Sequence, residues 1–109
     1  MKPELFAPGI ISHGFHEHCL TISPDGNEMC WGTASSDYNF YALIYIKKEN
    51  KTWQEPEILP FSIKYKAMSP RFSLDGEKLY FNSRYPTLGI KYQKENFDIF
   101  YMEKQVKNW

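Results

Sequence analysis

Cysteine is scarce: Cys19 and Cys30 are the only two, too few for a disulfide framework and too far apart for a zinc or redox motif. Net charge is missing as well. Thirteen Lys and Arg balance thirteen Asp and Glu, so the chain lacks the basic field that nonspecific binding to nucleic acid or an anionic membrane requires. No run approaches the ~18 consecutive apolar residues of a membrane-spanning helix. The opening Met1-Lys2-Pro3-Glu4 lacks the basic-then-apolar order of an export signal. The expectation is a soluble chain with no nucleic-acid partner and no membrane insertion, whose compartment stays unknown. Also missing is any sustained 3.6-residue apolar stripe, which speaks against helices.

What the 109 residues do carry is aromatic rings, 8 Phe, 8 Tyr and 3 Trp, and these favour strands. Strand-sized runs such as Asn39-Phe40-Tyr41-Ala42-Leu43-Ile44-Tyr45-Ile46 and Phe97-Asp98-Ile99-Phe100-Tyr101-Met102 stop at charged or polar residues. The reading is all-β, in a single domain spanning 1–109.

Sliding the chain against itself by 50 residues superposes two halves. Leu20-Thr21-Ile22-Ser23-Pro24-Asp25-Gly26-Asn27-Glu28-Met29-Cys30-Trp31 lies over Pro70-Arg71-Phe72-Ser73-Leu74-Asp75-Gly76-Glu77-Lys78-Leu79-Tyr80-Phe81, with Ser, Asp and Gly identical. After six extra residues within 84–96, Ile44-Tyr45-Ile46 and Trp53 lie over Phe100-Tyr101-Met102 and Trp109. Asp-Gly between apolar runs is a hairpin signal, because Gly accepts positive φ and Asp and Ser bond the open turn amides. Ser23, Asp25 and Gly26, and their counterparts Ser73, Asp75 and Gly76, are therefore read as structural turns. Strands are expected over 18–23, 27–32 and 40–47, and over 68–73, 77–83 and 97–104. A fourth is expected at Glu57-Ile58-Leu59-Pro60-Phe61, where proline suits an edge.

Four-stranded antiparallel repeats about 50 residues long describe propeller blades. The first repeat takes 13–61 and the second 62–109, the latter without its own outer strand. Trp53 is followed by Pro56-Glu57-Ile58, whereas Trp109 is last and Pro3-Glu4-Leu5 comes first, so 1–12 reads as an outer latch strand. Two blades do not close a ring, which takes ~4–8. The chain is thus expected to act within a larger propeller or a homo-oligomeric ring, a C3 trimer giving six blades, or to be the remnant of a truncated gene.

Ile22-Ser23-Pro24-Asp25-Gly26 and Phe72-Ser73-Leu74-Asp75-Gly76-Glu77-Lys78-Leu79-Tyr80-Phe81 resemble the TolB-like, or PD-type, bacterial β-propeller repeat, with Leu74 replacing the motif's proline. The opening Glu4-Leu5-Phe6-Ala7-Pro8-Gly9-Ile10-Ile11-Ser12 and His16-Glu17 look like the start of a bacterial subgroup of these propellers. The resemblance covers most of the chain. It implies an interaction platform whose relatives are mostly periplasmic or secreted, and because propellers host unrelated tasks, it says little about function.

Chemistry-bearing residues are few. His13, His16, Glu17 and His18 crowd the approach to the first strand, but in an extended segment His16 and His18 share a face that Glu17 opposes. His16, Glu17 and His18 are kept as ligand-binding candidates at a channel mouth, and no metal or cofactor is assigned. Asp25 and Asp75 are expected to stand well apart in separate turns, which argues against a catalytic pair. Cys19 and Cys30 are read as small buried apolar residues. In the 84–96 insertion, Arg84, Tyr85, Lys91 and Tyr92 have the composition of an interface hot spot. The expected function is a binding or assembly module with no catalytic residues, partnered by protein or by itself, and the alternative is a propeller hydrolase or lyase.

Overall fold

A computed structural model describes residues 1–5, 16–38, 40–83, 97–106 and 109. The chain is mostly antiparallel β-sheet, and its described residues form two sheets. The first comprises β1 (His16–Ile22), β2 (Glu28–Ala34), β3 (Tyr41–Glu49), β4 (Thr52–Trp53) and β5 (Glu57–Ile58), in the order β1-β2-β3-β4 with β5 also on β3. The second has the order β6 (Met68–Phe72), β7 (Lys78–Ser83), β8 (Asp98–Glu103). Between them lies one helical turn, α1 (Pro60–Lys64).

The two sheets repeat each other down to single hydrogen bonds. Ser23 N–H donates to the Glu28 carbonyl at 2.9 Å, and Ser73 N–H to that of Lys78 at 2.9 Å. Gly26 and Gly76 each sit at φ +74°, left-handed backbone that only glycine adopts freely. In each inner strand the ladder slips, between His18 and Thr21 and between Met68 and Arg71. Cys19 and Ser69, 50 residues apart, occupy these bulges at φ 55°, and the Cys19 thiol donates to the Ser69 hydroxyl at 3.6 Å. Equivalent points of the two repeats thus touch, with β6 lying beside β1. Cys19 is exposed there, unlike Cys30, which is fully buried. The expectation of two buried cysteines fails because the bulge turns residue 19 out of the ladder.

The expected strand over 57–61 also fails in part. Only Glu57 and Ile58 pair with β3, and Pro60 starts α1. Proline suits a first helical turn, since it has no N–H to leave unpaired and its φ is already near helical. The Leu59 N–H donates to the Leu43 carbonyl at 3.0 Å, the Leu43 N–H to the Ser62 hydroxyl at 2.8 Å, and that hydroxyl to the Leu59 carbonyl at 2.6 Å. The helical turn thereby covers backbone groups of β3 that a longer fourth strand would have taken.

The main core lies between the sheets. Cys30, Leu43 and Tyr45 of the first meet Phe72, Leu79 and Phe81 of the second, with Leu59, Ala67 and the ring of Phe100 around them. All seven residues of β2 are buried, so both of its faces are covered. On the side away from the second sheet, Met29, Trp31 and Ile46 form a smaller cluster. Residues 1–5, the described part of the expected latch, are exposed and lie in no strand. No helix among the described residues is long and apolar enough to cross a membrane.

Candidate functional site

At the start of β1, His16 pairs with Ala34, Glu17 with Thr33 and His18 with Gly32. Strand alternation sends the two histidines to one face and Glu17 to the other. The His16 ring stacks on Tyr38, with centroids 4.7 Å apart and planes 17° from parallel. The His18 ring lies directly on Gly32, where an added Cβ would come within 2.2 Å of its Cε1. Burial, then the neighbouring His16, holds the His18 pKa below the ordinary value of 6.5. Among the described residues no three His, Cys, Asp or Glu side chains form a metal-holding group.

The packing of His18 on Gly32 carries a prediction with a defined sign. Below pH 6.5 the unfolded chain accepts a proton that folded His18 resists, so stability falls as pH drops from 6.5 through the lowered folded value. Gly32→Ala is expected to expel the ring, destabilise the fold by about 1–3 kcal/mol, and return the His18 titration towards 6.5 in an NMR pH series. An unmoved titration would show that the ring does not rest on this glycine.

In the turns, Asp25 Oδ1 accepts from the Ser23 hydroxyl at 2.6 Å and the Asn27 N–H at 2.9 Å, while the Glu28 N–H donates to the Ser23 hydroxyl at 3.0 Å. Asp75, Ser73, Glu77 and Lys78 repeat this at 2.6, 3.0 and 2.9 Å. These bonds, led by the serine hydroxyl in each case, hold both carboxyl groups below the ordinary carboxylate range. The turns are not well apart, contrary to the sequence expectation: they line one cleft, and a Cβ added to Gly76 would lie 3.6 Å from Pro24 Cδ. The inner strands abut, which draws the turns together. Each carboxylate nevertheless holds its own loop.

Beside that cleft sits a group the sequence reading missed. Glu28, at the start of β2, is buried, with a relative exposure of 6%. Oε1 accepts from the Tyr45 hydroxyl at 2.6 Å and from Trp109 Nε1 at 3.2 Å, and Oε2 accepts from Lys104 Nζ at 2.9 Å. The carboxylate is therefore a clamp, tying the first sheet to the segment after β8. Burial and the neighbouring Glu28 push the Tyr45 hydroxyl pKa upward, and the same two causes raise that of the Cys30 thiol. Both shifts favour the protonated form of the group. The signal that could have revealed the clamp is the 56-residue offset that sets Lys48 and Trp53 over Lys104 and Trp109, marking a repeated lysine–tryptophan pair.

Among the described residues, one face of the second sheet is left open. Lys78, Tyr80 and Asn82 on β7 pair with Glu103, Tyr101 and Ile99 on β8. In the repeat these positions correspond to Glu28, Cys30, Gly32, Lys47, Tyr45 and Leu43. In the first sheet Cys30 and Leu43 are 0% exposed and Tyr45 is 3%, whereas Tyr80 is 37%, Tyr101 52% and Ile99 76%. The Tyr80 and Tyr101 rings lie 5.8 Å apart, and Lys78 Nζ sits 5.6 Å from the Tyr101 centroid. Arg84, Tyr85, Lys91 and Tyr92, expected as interface residues, lie outside the described residues. Comparison of the chain with protein-family models, with curated proteins and with solved structures finds no match.

Proposed function

We propose that the chain is an assembly module of β-propeller type, a pair of TolB-like blades that offers the β7–β8 face to a further sheet of the same kind, in a larger propeller or a ring closed with other chains. One observation carries this reading. The repeat contains its own control: when a second sheet is present, as it is for the first, Cys30, Leu43 and Tyr45 are buried, and on the second sheet their counterparts Tyr80, Ile99 and Tyr101 are open. An aromatic and aliphatic face bordered by lysine and glutamate has the anatomy of an interaction surface. The hydrolase or lyase alternative requires His16, Glu17 and His18 to converge, and strand alternation sends Glu17 away from the other two.

The test extends the full chain by one sheet. Trp109 repeats Trp53, so a second copy of residues 54–109 placed after Trp109 reproduces the native Trp53–Gln54 junction. Tyr80→Phe and Tyr101→Phe in the added copy leave only the original tyrosine pair to be read. In versions that differ at the copied Lys104, nitration of the original Tyr80 and Tyr101 is expected to slow in at least one. Rates equal to those of the unextended chain in every version would overturn the reading.

A further inference from the structure

We infer that the sheet fitting the β7–β8 face carries a carboxylate where this chain carries Lys104, and so is not a second copy of this chain stacked in the register of the internal interface. The inference deepens the assembly reading and rests on it.

The internal interface shows what the repeat uses to join one sheet to the next. Lys104 Nζ lies 5.7 Å from the Trp109 ring centroid and bonds Glu28 on the neighbouring sheet. The first sheet has the same pair in the same place, with Lys48 Nζ 4.8 Å from the Trp53 centroid. Backbone bonds confirm the equivalence, since Lys48 N–H donates to the Asn27 carbonyl at 2.7 Å and Lys104 N–H to that of Glu77 at 2.9 Å. Each sheet thus presents a lysine–tryptophan pair to one side. The first sheet presents to the other side the carboxylate that receives such a pair.

The second sheet breaks the pattern, because its residue at the receiving position is Lys78. No ion pair to Lys78 occurs among the described residues, and its ammonium rests over Tyr101. A second copy of this chain in the same register would bring Lys48 onto Lys78, and a further copy of the second sheet would bring Lys104. Either brings a second ammonium to Lys78 in a closing interface, where like charges repel; Glu103, opposite Lys78 across the strands, is the counterpart of Lys47, which pairs with Glu49 of its own strand, while Lys104 goes to Glu28. The surface such a copy would need is also already covered, since Met29, Trp31 and Ile46 are 6%, 1% and 2% exposed. An incoming glutamate or aspartate meets the opposite situation: Lys78 and the Tyr101 hydroxyl would both donate to it, as Lys104 and Tyr45 do to Glu28.

The extended chain separates this inference from the reading beneath it. With Lys104→Glu in the added copy, nitration of the original Tyr101 is expected to be roughly tenfold slower, or more, than with lysine kept there. Lys78→Glu in the original copy should restore protection to the lysine version, and combining Lys78→Glu with Lys104→Glu should abolish it. Equal protection in the lysine and glutamate versions overturns the charge rule and leaves the assembly reading standing. No protection in any version overturns both.

Discussion

Glu28→Ala is expected to lower the unfolding free energy by about 3–5 kcal/mol, the range for removing one partner of a buried ion pair. The loss goes beyond one contact. Three donors converge on this carboxylate, from Tyr45 at 2.6 Å, Lys104 at 2.9 Å and Trp109 at 3.2 Å. Without it, the Tyr45 hydroxyl is left in a site already dry enough to raise its pKa, and an unsatisfied buried polar group costs about 1–3 kcal/mol. The Lys104 side chain is 20% exposed and will swing partly towards water, which favours the lower end. Glu28→Gln keeps an acceptor for the hydroxyl and the indole and should cost less. Lys104→Met added to Glu28→Ala should cost less than the sum of the single changes, because the stranded charge is gone. Urea unfolding followed by circular dichroism measures each. A loss under about 1 kcal/mol for Glu28→Ala would mean that the clamp holds nothing.

How much of this was legible in the sequence follows the range of the forces involved. The Ser-x-Asp-Gly turns are local, with every bond falling within five residues, and the strands on either side alternate or run apolar, so turn and strand positions could be read directly. The 50-residue repeat carried the reading further, to two matching sheets. Helix α1 was not legible, because the value of Pro60 there depends on Ser62 reaching Leu43, 19 residues earlier. The Glu28 clamp joins residues 76 and 81 positions apart, and in the sequence Glu28 looks like an ordinary solvated charge after a turn. The exposed Cys19 depends on a bulge whose positive φ no residue type announces. Contiguity of the turn cleft was missed for the same reason, since the approach of β1 and β6 is a tertiary event.

The second sheet offers the sharpest contrast between faces, and Phe81→Ala and Ile99→Ser are expected to differ by about 2.5 kcal/mol or more. Phe81 is 2% exposed and its ring sits at the centre of an aromatic cluster, 5.3 Å from Phe61, 6.4 Å from Tyr65 and 5.8 Å from Phe100. Truncation removes the transfer energy of the ring and leaves a cavity walled by other rings that fill it poorly, so the loss should reach about 3–5 kcal/mol. Ile99 lies on the strand paired with β7 but on the other face, 76% exposed. In the chain alone its side chain already meets water, and serine there should change stability by no more than about 0.5 kcal/mol. The same substitution should weaken docking of an added third sheet, since the corresponding residue of the first sheet, Leu43, is wholly buried. Urea midpoints of the two single variants, with nitration of Tyr101 in the extended chain carrying Ile99→Ser, separate a residue that holds the fold from one reserved for a neighbour. An Ile99→Ser variant as unstable as Phe81→Ala would mean that both faces of the second sheet are already in use within the chain.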